Sequence, residues 1–392
     1  MPPMSPMVWP VLAMLVTGFL IALPATAVLV RLGYRTGALD SAGADGHAKA
    51  LRFVPNIGGI AIWLGVAAPL GVGLLLLTVI PAEAWERLLP PLAEHLERVR
   101  SSVPAGLALF GCITALHVLG LVDDRKGLGP WSKLGVQVAV AAVMVVAFDV
   151  RLLTAAGPVI SIGLTIAWII VITNAVNFLD NMDGLAGGVA AIIALLLLIA
   201  TLVNHQWFIA ATLALLVGSL AGFLVFNFPP ARIFMGDGGS LIVGFLLAVL
   251  TVRTTFYDPE QANYPLGNAW YGVLMPLVIL AIPIYDFLTV VILRLRQGRS
   301  PLVGDQQHYS HRLVMRGMSQ RGAVIVIWAA TLVTGIGGIG LGRLAPWQAV
   351  LVGAQTIAVL VMLGLIEHAS RHAVERSGAE DPARDAAKDD PS

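Results

Sequence analysis

The chain has 392 residues, of which 57% are apolar and 12% charged, with a mean hydropathy of +0.84 and a net charge of +1. That composition excludes an ordinary soluble domain and predicts an integral membrane protein, for which no nucleic-acid partner is expected. The single cysteine, Cys112, excludes an internal disulfide.

Hydropathy places spans near 8–30, 56–80, 103–122, 133–149, 156–177, 185–203, 206–227, 239–252, 268–293, 322–341 and 346–367. The expected fold class is therefore an all-α polytopic membrane protein with about 11 transmembrane helices. No Lys or Arg precedes Arg31, so the first apolar run lacks the basic flank of a cleaved signal and reads as a retained span. Eleven spans put the termini on opposite sides. Segments 31–55, 123–133, 228–238, 294–321 and 368–392 carry 18 Lys and Arg, and the alternate segments carry 6. The positive-inside rule puts the first set in the cytoplasm, the N-terminus outside and the C-terminus inside. Residues 1–367 read as one membrane domain, and 368–392 as a cytoplasmic tail expected to be disordered from Ser377 onward. The outside loop 81–102 has helical apolar spacing that suits a membrane surface.

Every chemically loaded segment falls on the cytoplasmic set, which predicts a cytoplasmic-face active site. Leu121 to Lys133, LVDDRKGLGPWSK, brings Asp123 and Asp124 to the end of a span, with a Gly/Pro loop leading to Lys133. Adjacent carboxylates repel one another and suit a shared cation; a solvated helix end with Asp124 paired to Arg125 is the alternative.

Asn174 to Gly188, NAVNFLDNMDGLAGG, sets five amide or carboxylate side chains (Asn174, Asn177, Asp180, Asn181 and Asp183) at a membrane boundary, where such groups are costly. Four of them recur every three residues, a spacing that on a helix lays them along one slowly drifting face. A face of oxygen donors suits a hard cation such as Mg²⁺ and the phosphates it carries.

Phe234 to Ser240, FMGDGGS, sets Asp237 among three glycines before a span. Glycines allow close approach by a ligand, and a helix N-terminus favours an anion. The plainer reading is an N-cap in which Asp237 or Ser240 bonds free amides. Asp286 lies about two turns inside the ninth span, after Pro283, and requires a partner there. The longest cytoplasmic loop, Arg294 to Arg321, gathers His308, His311 and Arg312, with Arg294, Arg296 and Arg299 upstream. Arginine suits bidentate contact with phosphate. An anchor on anionic lipid accounts for Arg294 and Arg296 but not for the histidines. Zinc is discounted for want of further ligands, and GLGPWSK lacks Walker A spacing.

In order, these segments resemble the polyprenyl-phosphate N-acetylhexosamine-1-phosphate transferases of glycosyltransferase family 4. That family includes the bacterial undecaprenyl-phosphate GlcNAc-1-phosphate transferases and the phospho-MurNAc-pentapeptide translocase. The resemblance rests on Asp123-Asp124, on Asn174 to Gly188, on Gly236 to Ser240, on His308 to Leu313, and on an early H-x-K-x-x-R-x-V-P-x-x-GG from His47 to Gly59. It implies transfer of a sugar-1-phosphate, GlcNAc-1-phosphate by preference, from a UDP-N-acetylhexosamine to polyprenyl phosphate, releasing UMP as the first membrane step of a cell-envelope polysaccharide. Phospho-MurNAc-pentapeptide transfer is the alternative within the family.

By the family's pattern, Mg²⁺ (or Mn²⁺) is held by Asp237 with Asn177. Asp123 is the base or orienting group for the lipid phosphate, Asp124 stands beside the metal, and Lys133 steadies a phosphate. Asp180, Asp183 and Gly184 hold the nucleotide, with Asn174 on the same stripe, and His308, His311 and Arg312 close over the sugar diphosphate. His47 and Lys49 belong to the early substrate-binding motif. Ser310 departs from the paired histidines common before Arg-Leu, while the run from His311 to Ser319 points away from the translocase branch. The setting implied is a bacterial inner membrane, with a homodimer left open. A transporter is the rival of another class, and it requires polar groups near the midplane.

Overall fold

A computed structural model describes residues 5–37, 54–254, 270–300 and 308–379, with backbone alone at 155, 270, 271 and 366–379. Among the described residues the secondary structure is helical. In order come α1 (Val8–Thr36), α2 (Gly59–Val79), α3 (Ala82–Leu88), α4 (Pro90–Ala93), α5 (Leu96–Arg100), α6 (Val103–Lys126) and α7 (Pro130–Ala142). They are followed by α8 (Pro158–Leu179), α9 (Leu185–Val203), α10 (Trp207–Asn227) and α11 (Asp237–Thr254). The last are α12 (Met275–Ile279), α13 (Ala281–Arg296), α14 (Tyr309–Met315), α15 (Gln320–Gly338) and α16 (Pro346–Ala379).

Among the described residues ten helical stretches are long and apolar enough to cross a membrane, and α12 with α13 makes an eleventh, bent by 65°. The multi-pass all-helical architecture expected from hydropathy is present. The ninth span differs in shape. Read as continuous over 268–293, it breaks at Leu280 between α12 and α13. Two prolines flank the break, Pro276 near the start of α12 and Pro283 in the first turn of α13.

The bundle is organised around α11, which packs on α2, α6, α8 and α9. Its sequence is apolar all round, and Val243, Phe245, Leu246 and Leu247 are fully buried. By contrast, α16 lies at the rim and exposes Val350, Leu351, Ile357 and Leu365, as a lipid-facing helix must.

The loop after α2 is helical, as its spacing predicts, but its apolar face is turned on the protein: Trp85, Leu96 and Val99 join the core. Arg100 donates to the carbonyls of Leu77 (2.9 Å) and Ile80 (2.5 Å), satisfying the end of α2. Helix α16 extends to Ala379; the rest of the expected disordered tail, residues 380–392, lies outside the described residues.

Successive spans alternate in direction, so the end of α6, the start of α7, the end of α8, the start of α9, the end of α10 and the start of α11 share one end of the bundle. The polar segments around Asp123, Asn177, Asp237 and His308 lie there.

Candidate active site

The last turn of α6 carries Asp123 and Asp124. Neighbours on a helix point about 100° apart, and here they serve different partners. Asp123 Oδ1 accepts the N–H of Leu128 (2.7 Å), and Oδ2 accepts Lys133 Nζ (2.6 Å). A left-handed Gly127 and Pro130 at the start of α7 turn the chain back so that Lys133, in the first turn of α7, reaches over. Lys133 Nζ also donates to Asp237 Oδ2 (3.1 Å), so one ammonium bridges two carboxylates 114 residues apart.

Asp124 faces the other way. Its Oδ1 accepts the N–H of Asp237 (3.0 Å), its Oδ2 accepts that of Gly238 (3.2 Å), and Asn56 Nδ2 donates to Oδ1 (3.3 Å). It thus caps α11 from another helix. The carboxylates of Asp123 and Asp124 thus face different partners, and the cap on α11 comes from Asp124 where the plainer sequence reading expected Asp237 or Ser240. Asp124 pairs with backbone amides and Asn56, not with Arg125.

Such a cap requires α6 and α11 to approach closely, and glycine allows it. A Cβ on Gly120 would stand 2.3 Å from Gly238 N and 2.4 Å from the Asp237 carbonyl. Gly236 has φ +66°, and a Cβ there would meet both Asn56 and Asp124 at 2.6 Å. The glycines around Asp237 therefore serve helix packing and the turn into α11. His117, stacked on Trp63 at 5.4 Å, donates from Nδ1 to the Gly238 carbonyl (2.7 Å) and holds the same turn. Behind it, Gly58 and Gly59 donate to the Phe234 and Met235 carbonyls, and Phe234 donates to that of Pro55. The first turn of α2 is thereby fastened beside the site.

The stripe from Asn174 divides in the same way. Asn177 Nδ2 donates to Asp237 Oδ1 and to Ser240 Oγ, both at 2.8 Å. One turn earlier, Asn174 Nδ2 donates to Gln137 Oε1 (2.7 Å), forming an amide pair that joins α7 to α8. Helix α8 ends at Leu179, so Asp180 and Asp183 leave the shared face and lie in the following turn. Asp183, 5% exposed, accepts the N–H of Ala231 (2.9 Å), and Gly184 donates to Asn227 Oδ1 (3.0 Å). These bonds set the entry to α9 against the end of α10.

The histidine segment is anchored from below. Asp286, 2% exposed inside α13, accepts His308 Nδ1 (2.9 Å) and the N–H of Tyr309 (2.8 Å), which is the partner its position required. Ser310 Oγ donates to Asn181 Oδ1 (2.5 Å). Arg294 is no lipid anchor. It is 1% exposed, and its guanidinium lies 5.0 Å from the centre of the Phe178 ring. Arg296 is exposed, as an anchor would be. The Arg312 guanidinium stands 5.9 Å from the Tyr309 ring, and His311 is half-buried beside it.

Asp123, Lys133, Asn177 and Asp237 thus form one continuous polar network, with Asp124 beneath it and His308 to Arg312 on a neighbouring wall. His47 and Lys49 lie outside the described residues. Asn56, His117, Asn181, Asn227 and Asp286 complete the site, yet none was assigned a role from sequence. A polar residue at or inside an apolar span was their one signal.

The donor set bears on a cation. No group of three His, Cys, Asp or Glu converges among the described residues, but two carboxylates meet at one positive centre. Mg²⁺ takes one or two carboxylates and fills the rest of its shell with water and phosphate oxygens. One ammonium between two carboxylates leaves a net negative charge, so the residues present fit such an ion, with Asp237 and Asp123 as the oxygen donors. Asn177 turns its amide nitrogen toward Asp237, which aligns that carboxylate.

Comparison with known proteins identifies the family. The profile of Glycosyl transferase family 4 matches residues 106–255, which carry Asp123, Lys133, Asn177 and Asp237. A decaprenyl-phosphate N-acetylglucosaminephosphotransferase of Mycolicibacterium smegmatis is 32% identical over 334 residues, spanning 80% of this chain and 78% of the relative. A probable undecaprenyl-phosphate N-acetylglucosaminyl 1-phosphate transferase of Bacillus subtilis is 28% identical over 341 residues, 85% of each. An undecaprenyl-phosphate alpha-N-acetylglucosaminyl 1-phosphate transferase of Escherichia coli is 25% identical over 299 residues, 72% of each. With the site's geometry and these relatives together, the chain belongs to glycosyl transferase family 4, the family of the polyprenyl-phosphate N-acetylglucosamine-1-phosphate transferases.

Proposed function

We infer that this membrane protein transfers GlcNAc-1-phosphate from UDP-GlcNAc to a polyprenyl phosphate, giving polyprenyl-diphospho-GlcNAc and UMP. The observation that carries the reading is the Lys133 bridge between Asp123 and Asp237 at the end of the bundle where the other polar segments meet. The names of the relatives support the acceptor and the sugar, and they do not favour the phospho-MurNAc-pentapeptide alternative. A transporter fits poorly, since the polar groups gather at helix ends and not at the midplane.

In this reaction an oxygen of the lipid phosphate forms a bond to the sugar-bearing phosphorus. The bond from that phosphorus to the oxygen of UMP breaks. Phosphoryl transfer asks chiefly for in-line positioning and charge neutralisation. When bound, Mg²⁺ would supply part of that neutralisation, with Asp237 and Asp123 as its protein donors. Lys133 holds both carboxylates and offers its ammonium to phosphate, while the net negative charge of the three groups is what the cation would offset. A phosphate monoester is largely dianionic near neutral pH, so the acceptor attacks without a strong base. Both oxygens of Asp123 are engaged, by Leu128 and Lys133, which supports an orienting role and direct attack. Asp180 and Gly184 hold the nucleotide end, and His311 and Arg312 contact the diphosphate. The distribution of Lys and Arg supports a cytoplasmic site in a bacterial inner membrane, with the N-terminus outside.

Purified protein given UDP-GlcNAc, polyprenyl phosphate and Mg²⁺ releases UMP, and Asp237→Ala stops the release while the protein stays folded. If none of the UDP-N-acetylhexosamines yields UMP, the reading is overturned.

A further inference from the structure

The start of α14 is held at three consecutive residues by side chains from two other parts of the chain. Asp286, inside α13, takes His308 Nδ1 on one oxygen and the Tyr309 N–H on the other. Asn181, just past α8, takes the Ser310 hydroxyl on Oδ1. Its own Nδ2 donates to the Phe178 carbonyl (2.7 Å), so the last turn of α8 fixes the amide's orientation. Asp286, His308 and Ser310 are each 5% exposed or less. A carboxylate accepting from Nδ1 requires a proton there and fixes the plane of the imidazole. The His308 ring also stands edge-on to Phe178 at 6.0 Å, and Tyr309 stands edge-on to Tyr285 at 6.1 Å.

The next two residues along α14 are His311 and Arg312. Their directions follow from those of His308 to Ser310, because a helical turn is one rigid unit. The anchors also register this turn to the transfer site. Asn177, which bonds Asp237, and Phe178, which touches His308 and bonds Asn181, are neighbours on the last turn of α8.

We propose that Asp286 and Asn181 are positioning residues that seat α14 and so place His311 and Arg312 for the sugar-nucleotide donor. Ser310, where the family's motif commonly has histidine, is the residue through which Asn181 acts. The donor half of this proposal rests on the UDP-sugar reading above; the seating half does not.

Two measurements on the full-length protein test it. In the first, a spin label is attached at Met315→Cys, an exposed position at the end of α14. Cys112 is buried, and the unsubstituted protein serves as the labelling control. Asp286→Asn and Ser310→Ala make the label markedly more mobile, whereas Ser310→Thr, which keeps the hydroxyl, does not. In the second, UMP release is followed with each substrate varied in turn. Asp286→Asn and Asn181→Ala raise the donor KM about 10-fold or more, the usual effect of removing an orienting partner. The KM for polyprenyl phosphate stays within about 2-fold. An unchanged label spectrum in Asp286→Asn and Ser310→Ala refutes the seating. A mobile label with an unchanged donor KM refutes the link to the donor. If the unsubstituted enzyme releases no UMP from any UDP-sugar, the functional reading falls, and the spectra still decide whether Asp286 and Asn181 seat α14.

Discussion

The carboxylate of Asp124 bonds the backbone N–H of Asp237, so the residue that heads α11 is capped by a side chain from α6. An aspartate at a helix start ordinarily turns its own side chain back on the free amides. Because Asp124 occupies those amides, the Asp237 carboxylate is released toward Lys133 and Asn177.

Replacing Asp124 should therefore cost both stability and activity. Loss of a cap is worth about 0.5–2 kcal/mol, so Asp124→Ala lowers the Tm measured in detergent. It also frees Asp237 to turn inward and cuts UMP release more than the loss of folded protein explains. Asp124→Asn keeps an acceptor and recovers part of both.

Lys133 separates affinity for a cation from turnover. Lys133→Met leaves two carboxylates facing one another without their ammonium, which strengthens attraction for a divalent ion and removes a charge that meets phosphate. A Mg²⁺ titration of UMP release is expected to show half-maximal activity at lower Mg²⁺, with a greatly reduced maximum. A higher Mg²⁺ requirement would contradict the charge balance described here.

Gly120→Ala tests the packing beneath the site. The added Cβ meets the backbone of Gly238 and Asp237 at 2.3–2.4 Å, where no flexible side chain can yield. Overpacking of this kind costs about 1–3 kcal/mol, and the shift falls on Asp237 itself. Thermal unfolding and UMP release should both decline, although Gly120 touches no substrate.

The two asparagines one turn apart on α8 should behave oppositely. Asn174→Ala leaves buried Gln137 without its amide partner, at about 1–3 kcal/mol, so the Tm falls while turnover per folded molecule changes little. Asn177→Ala lets the Asp237 carboxylate drift, so turnover falls more than stability. Paired Tm and kcat values for both variants distinguish these outcomes.

The spans were legible because a membrane demands long apolar runs, and the bounds of α9 and α10 match their predicted spans within one residue. The site was legible as an ordered set of polar segments at one end of the bundle. The division of labour within each segment was not. Asp123 and Asp124 are alike in sequence, and only the register of α6 against α11 separates a Lys133 partner from a helix cap. Asn174 and Asn177 share a stripe, yet Gln137 on α7 claims one and Asp237 the other. Arg294 looks like any basic residue near a span end until Phe178 is seen beneath it. The break at Leu280 was hidden because apolar residues continue across it, with two prolines as the local sign.

Helix α11 is enclosed by α2, α6, α8, α9 and α10, and its first residue is Asp237. A helix so enclosed moves only if its neighbours move with it, since close-packed interiors transmit strain and do not absorb it. Asp237 thus heads the most deeply buried candidate span among the described residues. His311 and Arg312 stand on a seven-residue helix fastened through side chains at its first turn. The two meet at the last turn of α8, where Asn177 holds Asp237 and, beside it, Phe178 and Asn181 meet α14, so a substitution in that turn is felt by the carboxylates and by α14 together.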